Sequence, residues 1–210
     1  MSKIAEVAKA VEAGKMKLIE GFVAEALEAG EDPLAILNEG MIGAMAIVGE
    51  KFQKSEIFVP EMLVAAKTMK KGVEVLKPKL AGGTTAKLGK CIIGTVHGDL
   101  HDIGKNLVAL MIESAGFEVI DLGVDVQIET FINKIKENPD TKIVALSALL
   151  TTTMPSMKDT ATAIKASGLS GFKLIVGGAP VTQEFADQIG ADGYSPDAAS
   201  AATLAKNLVA

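Results

Sequence analysis

Cys91-Ile92-Ile93-Gly94-Thr95-Val96 is a short apolar run, and the polar turn His97-Gly98-Asp99-Leu100-His101-Asp102 follows it. An amphipathic segment then opens at Ile103-Gly104. A buried strand, a turn and a helix in that order predict the first half of a βα unit. The alternation continues to the C-terminus. Apolar runs recur at 118–122, 142–146 and 172–176, with a weaker one at 192–194. Helical stretches fall near 103–115, 127–137, 155–167, 182–189 and 196–208. This pattern predicts an α/β fold: a flavodoxin-like, doubly wound parallel sheet over 89–210. Such sheets bind ligands beyond the carboxyl ends of their strands, where Asp99 and His101 are expected.

Upstream, the short apolar runs give way to a helical rhythm, with apolar residues spaced by three and four. Apolar residues fall at Ile4, Val7, Ala8 and Val11, then at Ile19, Phe22, Val23, Ala26 and Leu27. Asp32 and Pro33 signal a helix start. The stripe behind them is Leu34, Leu37, Met41, Met45, Val48 and Phe52. A fourth stripe opens near Pro60 with Met62, Ala66, Met69, Val73 and Leu76. Four amphipathic helices with short connections predict a four-helix bundle over 1–80. Its Met stripe reads as core packing. The small residues of Leu80-Ala81-Gly82-Gly83-Thr84-Thr85 predict an interdomain linker over 81–88.

The composition narrows the function. Hydrophobic residues make up 49 % of the 210 residues and aromatics 4 %, so the core is expected to be aliphatic. A formal net charge of -5 excludes a general nucleic-acid binder, which needs a basic face. The one cysteine, Cys91, excludes an internal disulfide and a multi-cysteine zinc site. The N-terminal stretch has no signal-peptide core, and no run reaches the ~20 apolar residues of a membrane span. The chain is expected to be cytoplasmic.

The chemistry centres on Asp99 and His101. A neutral imidazole can give one nitrogen to a metal if the other holds a proton for an acceptor. A carboxylate two residues away can be that acceptor. Gly98 and Gly104 leave room for a bulky group. By itself, Asp-x-His fits a loop or capping histidine as well as a ligand. One histidine is too few for zinc, so a metal held here needs a macrocycle for its other ligands.

Asp99-Leu100-His101-Asp102-Ile103-Gly104 matches the Asp-x-His-x-x-Gly signature of cobalamin-binding domains. Ser147-Ala148-Leu149 follows Gly104 after 42 residues, and Gly177-Gly178 follows Leu149 after 27. Those are the remaining signature elements, Ser-x-Leu and Gly-Gly, at fitting separations. The chain therefore resembles the corrinoid proteins of three-component methyltransferase systems and the cobalamin module of methionine synthase.

The resemblance implies a cobalamin or related corrinoid, bound base-off, with His101 as the lower cobalt ligand. Asp99 would accept from its far nitrogen, and Thr153 would complete the relay. Gly98, Asp102, Ile103, Gly104 and Leu149 would flank the corrinoid. Ser147, Thr151, Gly177 and Gly178 would line the slot for its nucleotide tail, with Gly193, Tyr194 and Asp197 as weaker candidates. The helical half would be a cap, with Phe58 over the ring. His97 is expected to be solvated.

The implied function is that of a carrier, not catalytic alone. It would take a methyl group on cobalt(I) from a substrate:corrinoid methyltransferase. It would give the group from methyl-cobalt(III) to a methylcorrinoid:acceptor methyltransferase, whose acceptor is coenzyme M or tetrahydrofolate. A reductive activator would rescue oxidised cobalt. The methyl donor stays open among methanol, methylamines, betaine and aryl ethers. The alternative is a cobalamin-dependent sensor or regulatory module without methyl transfer. A carbon-skeleton mutase subunit fits less well, because it shares the sheet signature but not the helical half.

Overall fold

The computed structural model of the chain describes residues 2–80 and 88–210. It divides into two compact units, residues 1–86 and 87–210. The expected linker at 81–88 lies, but for residue 88, outside the described residues.

The first unit is helical. α1 (Lys3–Glu12) is capped by Ser2, whose side chain accepts from the Ala5 N–H. α2 is Ile19–Glu28 and packs on it. Asp32 caps α3 (Pro33–Ala35), which runs without a break through a π-helical turn, Ile36–Ile42, into α4 (Gly43–Gln53). α5 is Val59–Leu80, and Glu61 caps its start by accepting from the Phe58 N–H at 2.7 Å. Four helical segments thus stand where four stripes are read, and Met41, Met45, Met62 and Met69 are all buried.

One detail differs. The third stripe reads as a regular helix beginning at Leu34 and Leu37, but the fully buried residue there is Ile36. The π turn inserts one extra residue, which moves the inward face by one position. Gly40 lies in that turn against Ile4 and Val7 of α1, where an added Cβ would stand 3.3 Å from Val7. A spacing of three and four tolerates one insertion, so the turn leaves no mark in the pattern.

The second unit is a five-stranded sheet with order β2-β1-β3-β4-β5, every pair parallel. The strands are β1 (Lys90–Thr95), β2 (Glu118–Asp121), β3 (Thr141–Ser147), β4 (Lys173–Gly177) and β5 (Gly193–Tyr194). Between and after them run α6 (Ile103–Ser114), α7 (Ile128–Glu137), α8 (Met154–Ala166), α9 (Gln183–Gln188) and α10 (Ala198–Val209). This is the flavodoxin-like order, with its switch point between β1 and β3.

The sheet is buried on both faces, which explains its unbroken apolar runs. Ile92, Val144, Leu146, Leu174 and Val176 join Phe131, Ile135, Met157 and Ile164 in one core cluster. Their neighbours Cys91, Ile93, Ile143, Ala145 and Ile175 are also buried and alternate with them along the strands. α6 packs against α10, as α7 does against α8. Gly94 lets β1 pass under Phe131, since a Cβ there would meet its ring at 2.8 Å. Cys91 lies in this core, and burial pushes its thiol up to about 12.

Among the described residues no helix is long and apolar enough to cross a membrane.

Candidate functional site

β1 and β3 are neighbours, and the loops leaving their carboxyl ends meet. β1 continues through Val96, whose N–H donates to Ser147 O at 3.0 Å. The chain then turns at Gly98, which has φ +83. The Asp99 N–H closes the turn onto Val96 O at 3.1 Å. Asp99 is thereby driven inward and is wholly buried.

Among the described residues, four donors meet that carboxylate. His101 donates twice to Oδ1, from its backbone N–H at 3.1 Å and from Nδ1 at 2.7 Å. Oδ2 accepts from the Leu149 N–H at 2.7 Å and the Thr153 hydroxyl at 2.8 Å. Leu149 and Thr153 come from the β3 loop, which winds into a single 3₁₀ turn, Thr151–Thr153. Thr95, buried on β1, donates from its hydroxyl to His101 O at 2.9 Å and holds the loop from below.

These contacts set the charge state. Burial opposes ionisation of Asp99, but the Leu149 N–H, the His101 ring and N–H, and the Thr153 hydroxyl outweigh it. The carboxyl is held well below the usual carboxylate range. An ionised Asp99 fixes the proton of a neutral His101 ring on Nδ1. The side chain of His101 is 49 % exposed, and Nε2 makes no hydrogen bond among the described residues.

The residues around it are unusual for a surface. Leu100 is 72 % exposed, Ile103 78 %, Leu149 42 % and Leu150 40 %. They are the exposed large hydrophobics among the described residues of the second unit: Leu100, Leu149 and Leu150 lie on the loops after β1 and β3, and Ile103 opens α6. Such grouping marks a surface meant to be covered.

The remaining candidates are placed as follows. Asp102 precedes α6 and accepts from the Asn106 side chain at 3.1 Å, and Gly104 lies in open space. Ser147 ends β3 opposite Gly177 in register. Gly178 has φ +132, and a Cβ on it would collide with Ala148 O at 1.8 Å. The chain's own packing therefore requires that glycine. Thr151 is exposed in the 3₁₀ turn. Tyr194 is half-buried on β5, and Asp197 caps α10 by accepting from Ser200 N–H at 2.8 Å. Phe58, in the helical unit, is 65 % exposed.

Sequence reading missed one partner. His97 is half-exposed, as expected, but it is not merely solvated. Its Nδ1 lies 2.6 Å from Asp125 Oδ1 and 2.7 Å from the Gln127 side-chain amide. Asp125 sits in the loop after β2, at the same sheet edge. The expected strand order offered a signal for it, since a loop beside β1 must flank the β1 loop.

The family model described as "B12 binding domain" matches residues 89–203, and a second of the same description matches 3–77. The chain belongs to the B12-binding family. Trimethylamine corrinoid protein 2 of Methanosarcina acetivorans is 49 % identical over 186 residues, covering 87 % of this chain and 85 % of its own. A solved cobalamin-binding protein from Desulfitobacterium hafniense superposes with TM-score 0.83 at 34 % identity, covering 99 % of this chain and 98 % of that one. The methanol:cobalamin methyltransferase complex of Methanosarcina barkeri superposes with TM-score 0.85 at 29 % identity, covering 99 % of this chain and 79 % of that one. The five-stranded sheet and its helical partner are thus the architecture of B12-binding proteins. Both family matches fall within the two structural units.

Proposed function

We propose that this chain is the corrinoid carrier of a methyltransferase system and that its methyl groups come from a methylated amine. One observation carries the reading: a half-exposed His101 whose Nδ1 is held by a buried, ionised Asp99. Such a ring offers Nε2 as a ligand of fixed tautomer.

The residues suit a corrinoid better than a bare metal. No group of three or more His, Cys, Asp or Glu able to hold a metal occurs among the described residues. A single imidazole therefore fits a metal that brings its own macrocycle. Leu100, Ile103, Leu149 and Leu150 provide apolar cover for a flat ring. When bound, the corrinoid supplies a cobalt centre that accepts and releases a methyl group.

His101 would hold the lower face of that centre through Nε2. Asp99 keeps the Nδ1 proton in place, and Thr153 steadies Asp99 by donating to it. Gly98, Asp102 and Gly104 shape the loop around the ring. Ser147, Thr151, Gly177 and Gly178 line the path of the nucleotide tail at the ends of β3 and β4. By the resemblance, residues 1–80 would serve as the cap, and Phe58 would be its contact with the corrinoid. The carrier works in the cytoplasm with a donor-side methyltransferase, an acceptor-side methyltransferase serving coenzyme M or tetrahydrofolate, and a reductive activator. The trimethylamine name of a 49 % identical relative, against 29 % for the methanol complex, favours an amine donor.

The test is the ultraviolet–visible spectrum of the chain refolded with hydroxocobalamin and desalted, beside His101→Ala. A retained corrinoid with a histidine-ligated spectrum, lost in the variant, is the expected result. A colourless wild-type protein from a sound refolding overturns the carrier reading and leaves a cofactor-free regulatory module.

A further inference from the structure

Asp125 stands outside the cobalamin signature, yet it holds the loop that presents His101 at three points. Its Oδ1 accepts from the Gly98 N–H at 2.8 Å and faces His97 Nδ1 at 2.6 Å. Its own N–H donates to Asp99 O at 2.9 Å. Gly98 and Asp99 are thus gripped on both sides of the peptide that joins them.

The grip has a cost that points to selection for the side chain. Asp125 has φ 53, a left-handed conformation that glycine adopts freely and other residues rarely do. Glycine at 125 would remove that strain but would leave the Gly98 N–H without its acceptor. The position therefore uses aspartate, one of the residues best able to tolerate this conformation, and retains a carboxylate.

The loop bearing Asp125 is itself anchored. Thr95 N–H donates to Gly123 O and Val126 N–H to Thr95 O, both at 3.0 Å. Asp121 accepts from the Gly123 N–H at 2.9 Å and from buried Lys105 at 2.5 Å. Lys105 belongs to the first turn of α6, just after the His101 loop. The two loops are thus tied at both ends, and Asp125 closes the frame in the middle.

We propose that Asp125 is a positioning residue for the loop that carries Asp99 and His101. It clamps Gly98 and Asp99 so that the Asp99 carboxylate meets His101 in one orientation. The consequence for corrinoid affinity rests on the carrier reading; the clamp does not.

Residue-resolved amide exchange on the corrinoid-free chain tests the clamp directly. Loss of a charge-assisted hydrogen bond should speed Gly98 exchange by about tenfold or more in Asp125→Ala. Asp125→Asn keeps an oxygen acceptor and should restore most of the protection. Asp125→Gly relieves the backbone and lacks the acceptor, so it should exchange as fast as Asp125→Ala. If Asp125→Ala fails to fold, the Gly and Asn pair carries the test. Unchanged Gly98 protection in Asp125→Gly overturns the clamp.

The same variants loaded with hydroxocobalamin should lose about tenfold in affinity for Ala and Gly, and much less for Asn. Their histidine-ligated spectrum should weaken in parallel. Fast exchange with wild-type affinity and spectrum overturns the positioning role. A wild-type chain that takes up no corrinoid defeats the carrier reading instead, and the exchange result still stands.

Discussion

The sheet edge carries two histidine–carboxylate pairs four residues apart, and they look alike by distance alone. His101 meets Asp99 at 2.7 Å, and His97 meets Asp125 at 2.6 Å. The rings are similarly open, with side chains 49 % and 55 % exposed. The carboxylates differ. The Asp99 side chain is 0 % exposed and the Asp125 side chain 45 %. Asp99 takes four hydrogen bonds from three residues on two loops. Asp125 faces solvent and grips the backbone of a neighbouring turn. The two pairs are thus distinguished by what holds the carboxylate, not by the distance between ring and carboxylate.

The sharpest way to break this contrast is to delete the buried carboxylate. Asp99→Ala strands the Leu149 N–H and the His101 N–H around an emptied site and leaves the Thr153 hydroxyl only the Leu150 carbonyl, 2.9 Å away. An unsatisfied buried group costs about 1–3 kcal/mol, so a loss of roughly 3 kcal/mol in urea unfolding is expected. Corrinoid affinity should fall about 10–100-fold, as for the partner of a metal-bound histidine. A variant of wild-type stability would mean that burial of Asp99 carries no such consequence.

Acid sharpens the same point in the corrinoid-free chain. Asp99 is more acidic folded than unfolded, so its ionisation favours the folded state. That contribution is complete above the unfolded carboxylate value of about 4 and is lost as pH falls below it. Asp99→Asn should therefore have a flatter stability curve below about pH 4 than the wild type. Parallel acid curves for the two proteins would contradict a lowered Asp99.

A smaller effect is expected at the hydroxyl. Thr153→Val keeps the shape and removes one of two donors to Oδ2. About 1 kcal/mol of stability and a few-fold of corrinoid affinity should go, while Thr153→Ser retains both. Equal loss in Ser and Val would assign the residue to packing alone.

How far these regions were legible follows from where their signals lie. Asp99 and His101 follow β1, and Ser147 and Gly177 end β3 and β4, at separations that a single sheet topology fixes, so spacing alone brings them to one edge. Asp125 lies 26 positions from Asp99 in an ordinary polar loop. Its part in the site depends on β2 lying beside β1 and on a left-handed backbone, and neither is written as a periodic pattern. The apolar loop residues Leu100 and Leu150 were hidden for another reason. An exposed leucine is common singly, and only the fold shows four apolar side chains gathered on two adjoining loops and the start of α6. In the helical unit the stripes gave each helix, but a π turn changes the register by one residue without removing any apolar position.

The smallest effect tests the other member of the contrast. His97→Ala removes a ring whose partner is open to solvent, and exposed ion pairs contribute little. Corrinoid affinity should change by less than about threefold, because the Gly98 N–H keeps its hydrogen bond to Asp125. Gly98 exchange should stay near the wild-type rate for the same reason. The ring would then be a lid on a carboxylate whose principal contact is the backbone. A large loss on removing His97, equal to that of Asp125→Ala, would instead make the two a single unit. The pair would then resemble Asp99 and His101 in function as well as in distance, and burial would no longer separate them.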